Sequence, residues 1–257
     1  MDMGLTGKNV LVPGASAGIC LAIARSLAAE GANVVLAARR EDVVRAEAAR
    51  LPSAVGIVMD LNDDGAPAAL VAATEHAFGP IDVLVLNSGG PPPGGAADIT
   101  DDQALAAVHQ LLLQHVRLTS LVLPGMRSRG WGRIVAVGSS GVQQPLPNLA
   151  LSNLGRAGLA GYLKTLAGEV AADGVTVNMV LPGRIDTDRV ASLDTAVAKR
   201  TGVTPDEARA ASEAGIPAQR YGTPAEFAAV VTFLAGATAS YVTGEQIRCD
   251  GGMVRTY

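Results

Sequence analysis

Short apolar runs alternate along the chain with longer stretches in which apolar residues recur every three or four positions. The short runs read as strands: NVLV (9–12), NVVLA (33–37), AVGIVM (54–59), DVLVL (82–86), RIVAVG (133–138), VTVNMV (175–180) and QIRC (246–249). They are apolar on both faces, as strands covered on each side by helices must be. The longer stretches predict helices near 17–29, 41–50, 64–77, 102–128, 149–172 and 224–235. Gly31 and Gly174 follow two of these helices, where a left-handed cap is wanted. Repeated strand–helix alternation predicts an α/β fold with a doubly wound, seven-stranded parallel sheet and right-handed crossovers. No repeat or linker divides residues 1–257, so a single domain is expected. The segment 186–222 interrupts the alternation and reads as a flap over a site.

Composition narrows the partners. Apolar residues make up 49% of the chain, enough for a full core, and the net charge is −4 with no basic run, so no nucleic acid is expected as partner. The two cysteines, Cys20 and Cys249, form no disulfide framework and suit a reducing compartment. The start MDMGLTGKNV lacks the layout of a signal peptide, and no run of 18 apolar residues occurs. A soluble cytoplasmic protein is the expectation, with no membrane contact and no metal site.

The first strand runs into PGASAGIC (13–20) and then a helix. Glycines at such a turn let the backbone approach a pyrophosphate, and the helix N-terminus supplies amides and positive potential. Gly14 and Gly18 fit this use, whereas Cys20 holds the third small position and Pro13 opens the turn. The turn reads as the start of a Rossmann-type dinucleotide site, with an ordinary strand–helix turn as the alternative. The second strand ends AARR (37–40). A carboxylate there would take a ribose 2′-hydroxyl; Ala38 cannot, and Arg39 can pair with a 2′-phosphate. The cofactor expected is NADP, with NAD less favoured.

With MDL (59–61), LNSGG (86–90), GRIVAVGSS (132–140), VNMVLPGRIDT (177–187) and GEQIRCDGG (244–252), the whole chain resembles the short-chain dehydrogenase/reductase family. It is most similar to the β-ketoacyl-carrier-protein reductases. The resemblance implies that Asp60, with Leu61 beside it, meets the adenine, and that Asn87 and Gly89 lie along the adenine ribose. It implies Ser16 and Ile19 at the phosphates, and Ile185 and Thr187, after Pro182 and Gly183, at the nicotinamide carboxamide. It also implies a homotetramer, in keeping with the apolar helices predicted at 102–128 and 149–172.

The same resemblance implies an Asn–Ser–Tyr–Lys group that reduces carbonyls. Ser139 matches the serine, but Leu111 stands at the asparagine position, Ser152 at the tyrosine and Arg156 at the lysine. A serine hydroxyl is a far weaker acid than a phenol. Arginine holds its proton, so it can bind a ribose or an oxyanion but relays no proton readily. Ser139, Ser152 and Arg156 are the catalytic candidates, with Arg156 also holding cofactor. His109 and His115 read as subunit-interface residues, Tyr162 as facing away, and Tyr221 as structural. Arg184 reads as a surface salt bridge, with an acidic substrate group as the alternative. The run PPPGG (91–95) would stiffen a pocket wall. The leading reading is an NADP-dependent oxidoreductase of unknown substrate with altered acid–base chemistry. The alternatives are a non-catalytic NADP-binding protein and an enzyme of non-redox chemistry on the same fold.

Overall fold

The computed structural model describes residues 2–256. Seven strands, β1 (Asn9–Pro13), β2 (Asn33–Ala38), β3 (Ala54–Val58), β4 (Val83–Leu86), β5 (Gly132–Val137), β6 (Val175–Pro182) and β7 (Gln246–Cys249), form one sheet in the order β3-β2-β1-β4-β5-β6-β7. Every neighbouring pair is parallel. The helices are α1 (Gly18–Ala29), α2 (Glu41–Ala48), α3 (Ala66–Phe78), α4 (Asp101–Val108), α5 (Gln114–Ser128), α6 (Ala150–Val170), α7 (Asp188–Thr201), α8 (Pro205–Ala214) and α9 (Pro224–Ala235).

Strand alternation builds two cores. Val10 and Val12 of β1, Val34 and Leu36 of β2, and Val135 and Val137 of β5 face one side, where they meet Ile23 and Leu27 of α1 and Phe227 and Val231 of α9. Leu11, Val35, Ile134 and Ala136 face the other and meet α3, α5 and α6 through Leu70, Leu118, Val122 and Leu159. Successive side chains point to opposite faces, so the central strands are largely apolar on both, with Arg133 of β5 and Asn178 of β6 buried on hydrogen bonds to backbone carbonyls. Phe227 is fully buried, a contribution of about 1.5–3 kcal/mol.

The edge strands depart from expectation. In β3 no residue is buried, and Val55 and Val58 are 37% and 40% exposed; β7 is half-buried throughout. Each has a neighbour on one side only, so its apolar sequence is not matched by cover. The single helix expected at 102–128 is also interrupted. Between α4 and α5 lies one turn of π-helix, His109–Leu113. Gly31 and Gly174 do adopt left-handed backbone, at φ 82° and 73°.

The segment after β6 leaves the sheet and returns to the same place. Asp186 N–H donates to the Gly222 carbonyl at 2.8 Å, and Gly222 N–H to the Arg184 carbonyl at 2.9 Å. Between these closing bonds run α7 and α8, braced by Arg209, which forks onto Asp186 at 3.1 and 2.9 Å.

The π turn packs directly against α6. A Cβ on Gly155 would stand 2.7 Å from Leu111 Cβ and 3.2 Å from the Ala107 carbonyl oxygen. Overpacking of this kind costs about 1–3 kcal/mol, against about 1 kcal/mol that alanine gains over glycine in a helix. Gly155→Ala is therefore expected to lower the urea midpoint; a raised midpoint would show that Leu111 yields freely.

Candidate active site

The glycine turn owes its shape to two residues with left-handed backbone, Gly14 at φ 73° and Gly18 at φ 59°. A Cβ on Gly14 would meet Asn87 Nδ2 at 2.5 Å, so β4's end can approach the turn only because that position is glycine. Asn87 Nδ2 donates to the Pro13 carbonyl at 3.5 Å, bracing β1 against β4. Helix α1 starts at Ala17, which offers no side-chain cap, and its first turn holds no acidic residue. Its first amides are left for a ligand, with the positive end of the helix dipole behind them.

Around this turn opens a cavity of about 560 Å³, a size ordinary for small-molecule sites. Gly14, Gly18 and Ile19 line one end; Asn87 and Gly89 line the β4 side; Pro182, Gly183, Ile185 and Thr187 line the β6 side. Ser139, Ser152 and Arg156 line the same cavity. Thus β1, β4, β5, β6 and α6 bring most of the candidate residues together. Ser16, Arg39, Asp60 and Leu61 lie outside this wall, around the end of β2.

At that end Arg39 Nη1 stands 3.7 Å from Asp60 Oδ2, so two residues assigned separate tasks from sequence are neighbours. Asp60 Oδ1 also accepts from Asn62 N–H at 3.0 Å. The sequence reading passed over Arg40, whose Nη2 reaches Ser16 Oγ at 3.2 Å and the Ser16 carbonyl at 3.3 Å. The doubled arginine was the available signal; only the fold shows which of the two bends toward the glycine turn.

On the chemical side, Ser139 Oγ accepts from Gly141 N–H at 3.1 Å and keeps its proton free to donate. Arg156 is 9% exposed and donates through Nη1 to the Val137 carbonyl at 2.9 Å. Burial, reinforced by the charge of Arg189, pushes its guanidinium down to about 10, still cationic at neutral pH. Cys20 is buried in the first turn of α1, and burial pushes its thiol up to about 12 against the opposing pull of Arg156. It is a packing thiol, not a nucleophile.

His115 corrects an expectation. It does not face a neighbouring subunit: it is 1% exposed within its own chain. Its Nδ1 lies 2.8 Å from the Leu111 carbonyl oxygen, so Nδ1 carries the proton. Nε2 is buried toward the Asn87 backbone without a completed hydrogen bond. His109 is half-buried and lies 3.2 Å from Gln114 Nε2. Leu111 itself is fully buried. Tyr221 is buried in the flap, its hydroxyl donating to Asp194, 3.0 Å from both carboxylate oxygens. Tyr162 is half-buried outside the cavity wall. Among the described residues no cluster of His, Cys, Asp and Glu could hold a metal ion, and no helix is long and apolar enough to cross a membrane.

Burial lowers the His115 pKa to about 4, partly offset by its bond to the Leu111 carbonyl. A depressed histidine pKa means that the unfolded chain binds the proton more tightly. Its contribution is therefore present above the unfolded value of about 6.5 and is lost as pH falls toward 4. The span corresponds to roughly 3 kcal/mol. Urea unfolding from pH 7 to 4.5 should show stability falling steeply in the wild type and less in His115→Gln, which keeps a donor but does not titrate. Equal slopes would place the proton uptake elsewhere.

The family model described as "Enoyl-(Acyl carrier protein) reductase" matches residues 14–254. The chain is 37% identical over 249 residues to a putative ketoacyl reductase of Streptomyces coelicolor, covering 95% of each chain. It is 37% identical over 254 residues to the 3-oxoacyl-[acyl-carrier-protein] reductase FabG of Vibrio cholerae, covering 98% of this chain and 99% of that one. Among solved structures, L-sorbose reductase from Gluconobacter frateurii, complexed with NADPH and L-sorbose, matches with a TM-score of 0.94 at 32% identity over 100% of both chains. A variant actinorhodin polyketide ketoreductase with NADPH matches with a TM-score of 0.90 at 36% identity, over 96% of this chain and 97% of that one. Sheet order, glycine turn and these likenesses along nearly the whole length agree, and the chain belongs to the short-chain dehydrogenase/reductase family of oxidoreductases, among its ketoacyl-reductase-like members.

Proposed function

We propose that the protein is an NADPH-dependent reductase of a carbonyl substrate that works without a tyrosine acid. One observation carries the reading: the glycine turn, the Ile185–Thr187 segment and the trio Ser139, Ser152 and Arg156 share one cavity. The residues present fit the cofactor. Gly14 and Gly18 leave backbone where a side chain would obstruct a pyrophosphate, and Arg39 and Arg40 stand at the end of β2 for the 2′-phosphate. Asp60 would meet the adenine, and Ile185 and Thr187 would hold the nicotinamide. NADPH, when bound, supplies the hydride.

The chain supplies the rest. Ser139 donates to the carbonyl oxygen. Arg156 offers a fixed positive charge to the ribose and to the oxygen as it gains negative charge. Ser152, one helical turn before Arg156 on α6, donates a second hydrogen bond but is too weak an acid to give up its proton. The proton comes from water, so reduction of ordinary keto esters is slow. The double substitution Ser152→Tyr with Arg156→Lys provides a phenol and a cation to lower its pKa. It should raise the initial rate of NADPH oxidation with a keto-ester panel by about tenfold or more, against the 100- to 10,000-fold that a general acid typically contributes. A brisk wild type abolished by the change would mean that serine and arginine are themselves the working pair.

Cofactor preference tests the other end of the site. NADPH should bind more tightly than NADH by fluorescence titration, and Arg39→Ala should erase most of the difference. A wild type that binds both equally would remove the basis for NADP.

A second reading, a non-catalytic NADPH-binding protein, is favoured by Leu111, Ser152 and Arg156 standing where the family's asparagine, tyrosine and lysine are expected. Binding of NADPH without turnover in either the wild type or the double variant would put that reading first. Under both readings the protein is a cytoplasmic homotetramer. Leu105, Leu113, Leu121 and Leu154 are 66%, 40%, 44% and 42% exposed on α4, the π turn, α5 and α6. Their exposure on neighbouring elements supports an interface there. Light scattering at micromolar concentration should give four chains per particle, and a monomer would refute it.

A further inference from the structure

We infer that the substrate end of the cavity holds an anion, and that the compound reduced is an oxo acid with a free carboxylate rather than a neutral ketone or ester. The inference rests on the reductase reading for what happens next, but the binding site stands on its own geometry.

Three guanidinium groups from three elements line this one cavity: Arg156 from α6, Arg184 from the turn after β6, and Arg189 from the first turn of α7. Asp188 is the single carboxylate in the wall. The protein as a whole is acidic, with a net charge of −4, so the concentration of positive charge is local.

Each arginine has donors to spare. Arg156 uses Nη1 on the Val137 carbonyl. Arg184 Nη1 is 3.9 Å from Asp194 Oδ1, too far for a hydrogen bond, and is buried without a partner. Asp194 is itself 5% exposed and committed to the Tyr221 hydroxyl. It orients Arg184 without satisfying it. Arg189 forms no ion pair among the described residues. Its guanidinium packs against Gly90, where a Cβ would come within 2.8 Å of Cζ and 3.0 Å of Nη1, and Nη2 is nearer still. Glycine at 90 is thus what lets a guanidinium lie over the end of β4.

Thr187 and Arg189 turn to different neighbours in this wall. Thr187, two residues before Arg189, turns its methyl toward the glycine turn, 3.4 Å from where a Cβ on Gly18 would stand. Arg189 points across the cleft instead, to Gly90 and the 91–95 loop. That loop is tied to the other wall: Gly94 N–H donates to the Asn148 carbonyl at 2.9 Å, and Ala150 N–H to the Gly94 carbonyl at 3.2 Å. The adjoining Leu146, Pro147 and Leu149 line the cavity. Arg189 therefore overlooks the apolar wall beside Ser152. The positive charge of Arg189 also acts on Arg156, so the two repel across the space that an anion would fill. A carboxylate matches the planar fork of arginine two bonds at a time, and the leucine–proline wall suits an apolar body attached to it.

The test uses phenylpyruvate and its methyl ester, which differ in charge and little else. Calorimetric titration of the full chain, with and without NADP⁺, reads binding with no turnover. Phenylpyruvate should bind at least about tenfold tighter than the ester. Arg184→Met and Arg189→Met should each remove most of that preference while leaving the ester's affinity and NADPH binding within about threefold. Arg184→Lys and Arg189→Lys, which keep the charge without the fork, should fall between. An ester that binds as well as the acid, or an acid preference that survives in the double Met variant, overturns the inference. So does a loss of NADPH affinity in Arg189→Met that matches the loss of acid binding, because the cofactor's phosphates would then be the anion. The reductase reading is decided separately, by NADPH oxidation with phenylpyruvate: no oxidation despite the acid preference leaves the anion site in place and removes the reductase.

Discussion

Between β1 and β4 the chain reverses the direction in which it adds strands: β2 and β3 lie to one side of β1, and β4 through β7 to the other. The connections from the two neighbouring strand ends leave on opposite faces, and a crevice opens between them. Everything in the candidate site depends on that crevice. Its walls approach closely enough to be useful because Gly14 has no side chain, which lets Asn87 hold the Pro13 carbonyl across the gap. The crevice then fixes where the free amides of α1 point, and β5 and β6 bring Ser139 and Ile185 to the same edge.

The fold was legible in the sequence because a buried parallel strand leaves a simple signature. Runs such as NVLV and RIVAVG carry apolar residues on both faces, and all seven such runs became strands. The cover over each run was not legible. Val55 and Val58 look as apolar as Val34 and Val35, yet they are exposed because β3 ends the sheet, and strand order is a property of the whole chain. The π turn at His109–Leu113 was equally hidden. Local periodicity over 102–128 continues through it, and what distinguishes it is contact with Gly155 on a helix some 40 residues away.

In the site, motifs that act through backbone were easiest to read. Glycines at 14 and 18 and the Pro182–Gly183 turn advertise close approach, and all four line the cavity. Long side chains were harder. Arg39 and Arg40 are adjacent and alike, but one lies by Asp60 and the other reaches Ser16. His115 reads from sequence as a subunit-interface residue and is instead buried within its own chain. A histidine's environment is set by the helix's rotation about its axis, and a π turn changes that rotation by inserting a residue into the turn.

The bond from His115 to the Leu111 carbonyl carries a lesson about how such a site changes over time. A π turn frees a backbone carbonyl from the helical ladder, and here the histidine one turn later takes it up. The two positions thereby form a single unit. An asparagine put back at 111 would still find its own carbonyl claimed, and its side chain pressed against Gly155. Removing the histidine alone would take away the side-chain donor on that carbonyl. The side chain at 152 can be exchanged with little effect beneath it, whereas Arg156, which holds the Val137 carbonyl, and the layer behind it resist reversal one letter at a time.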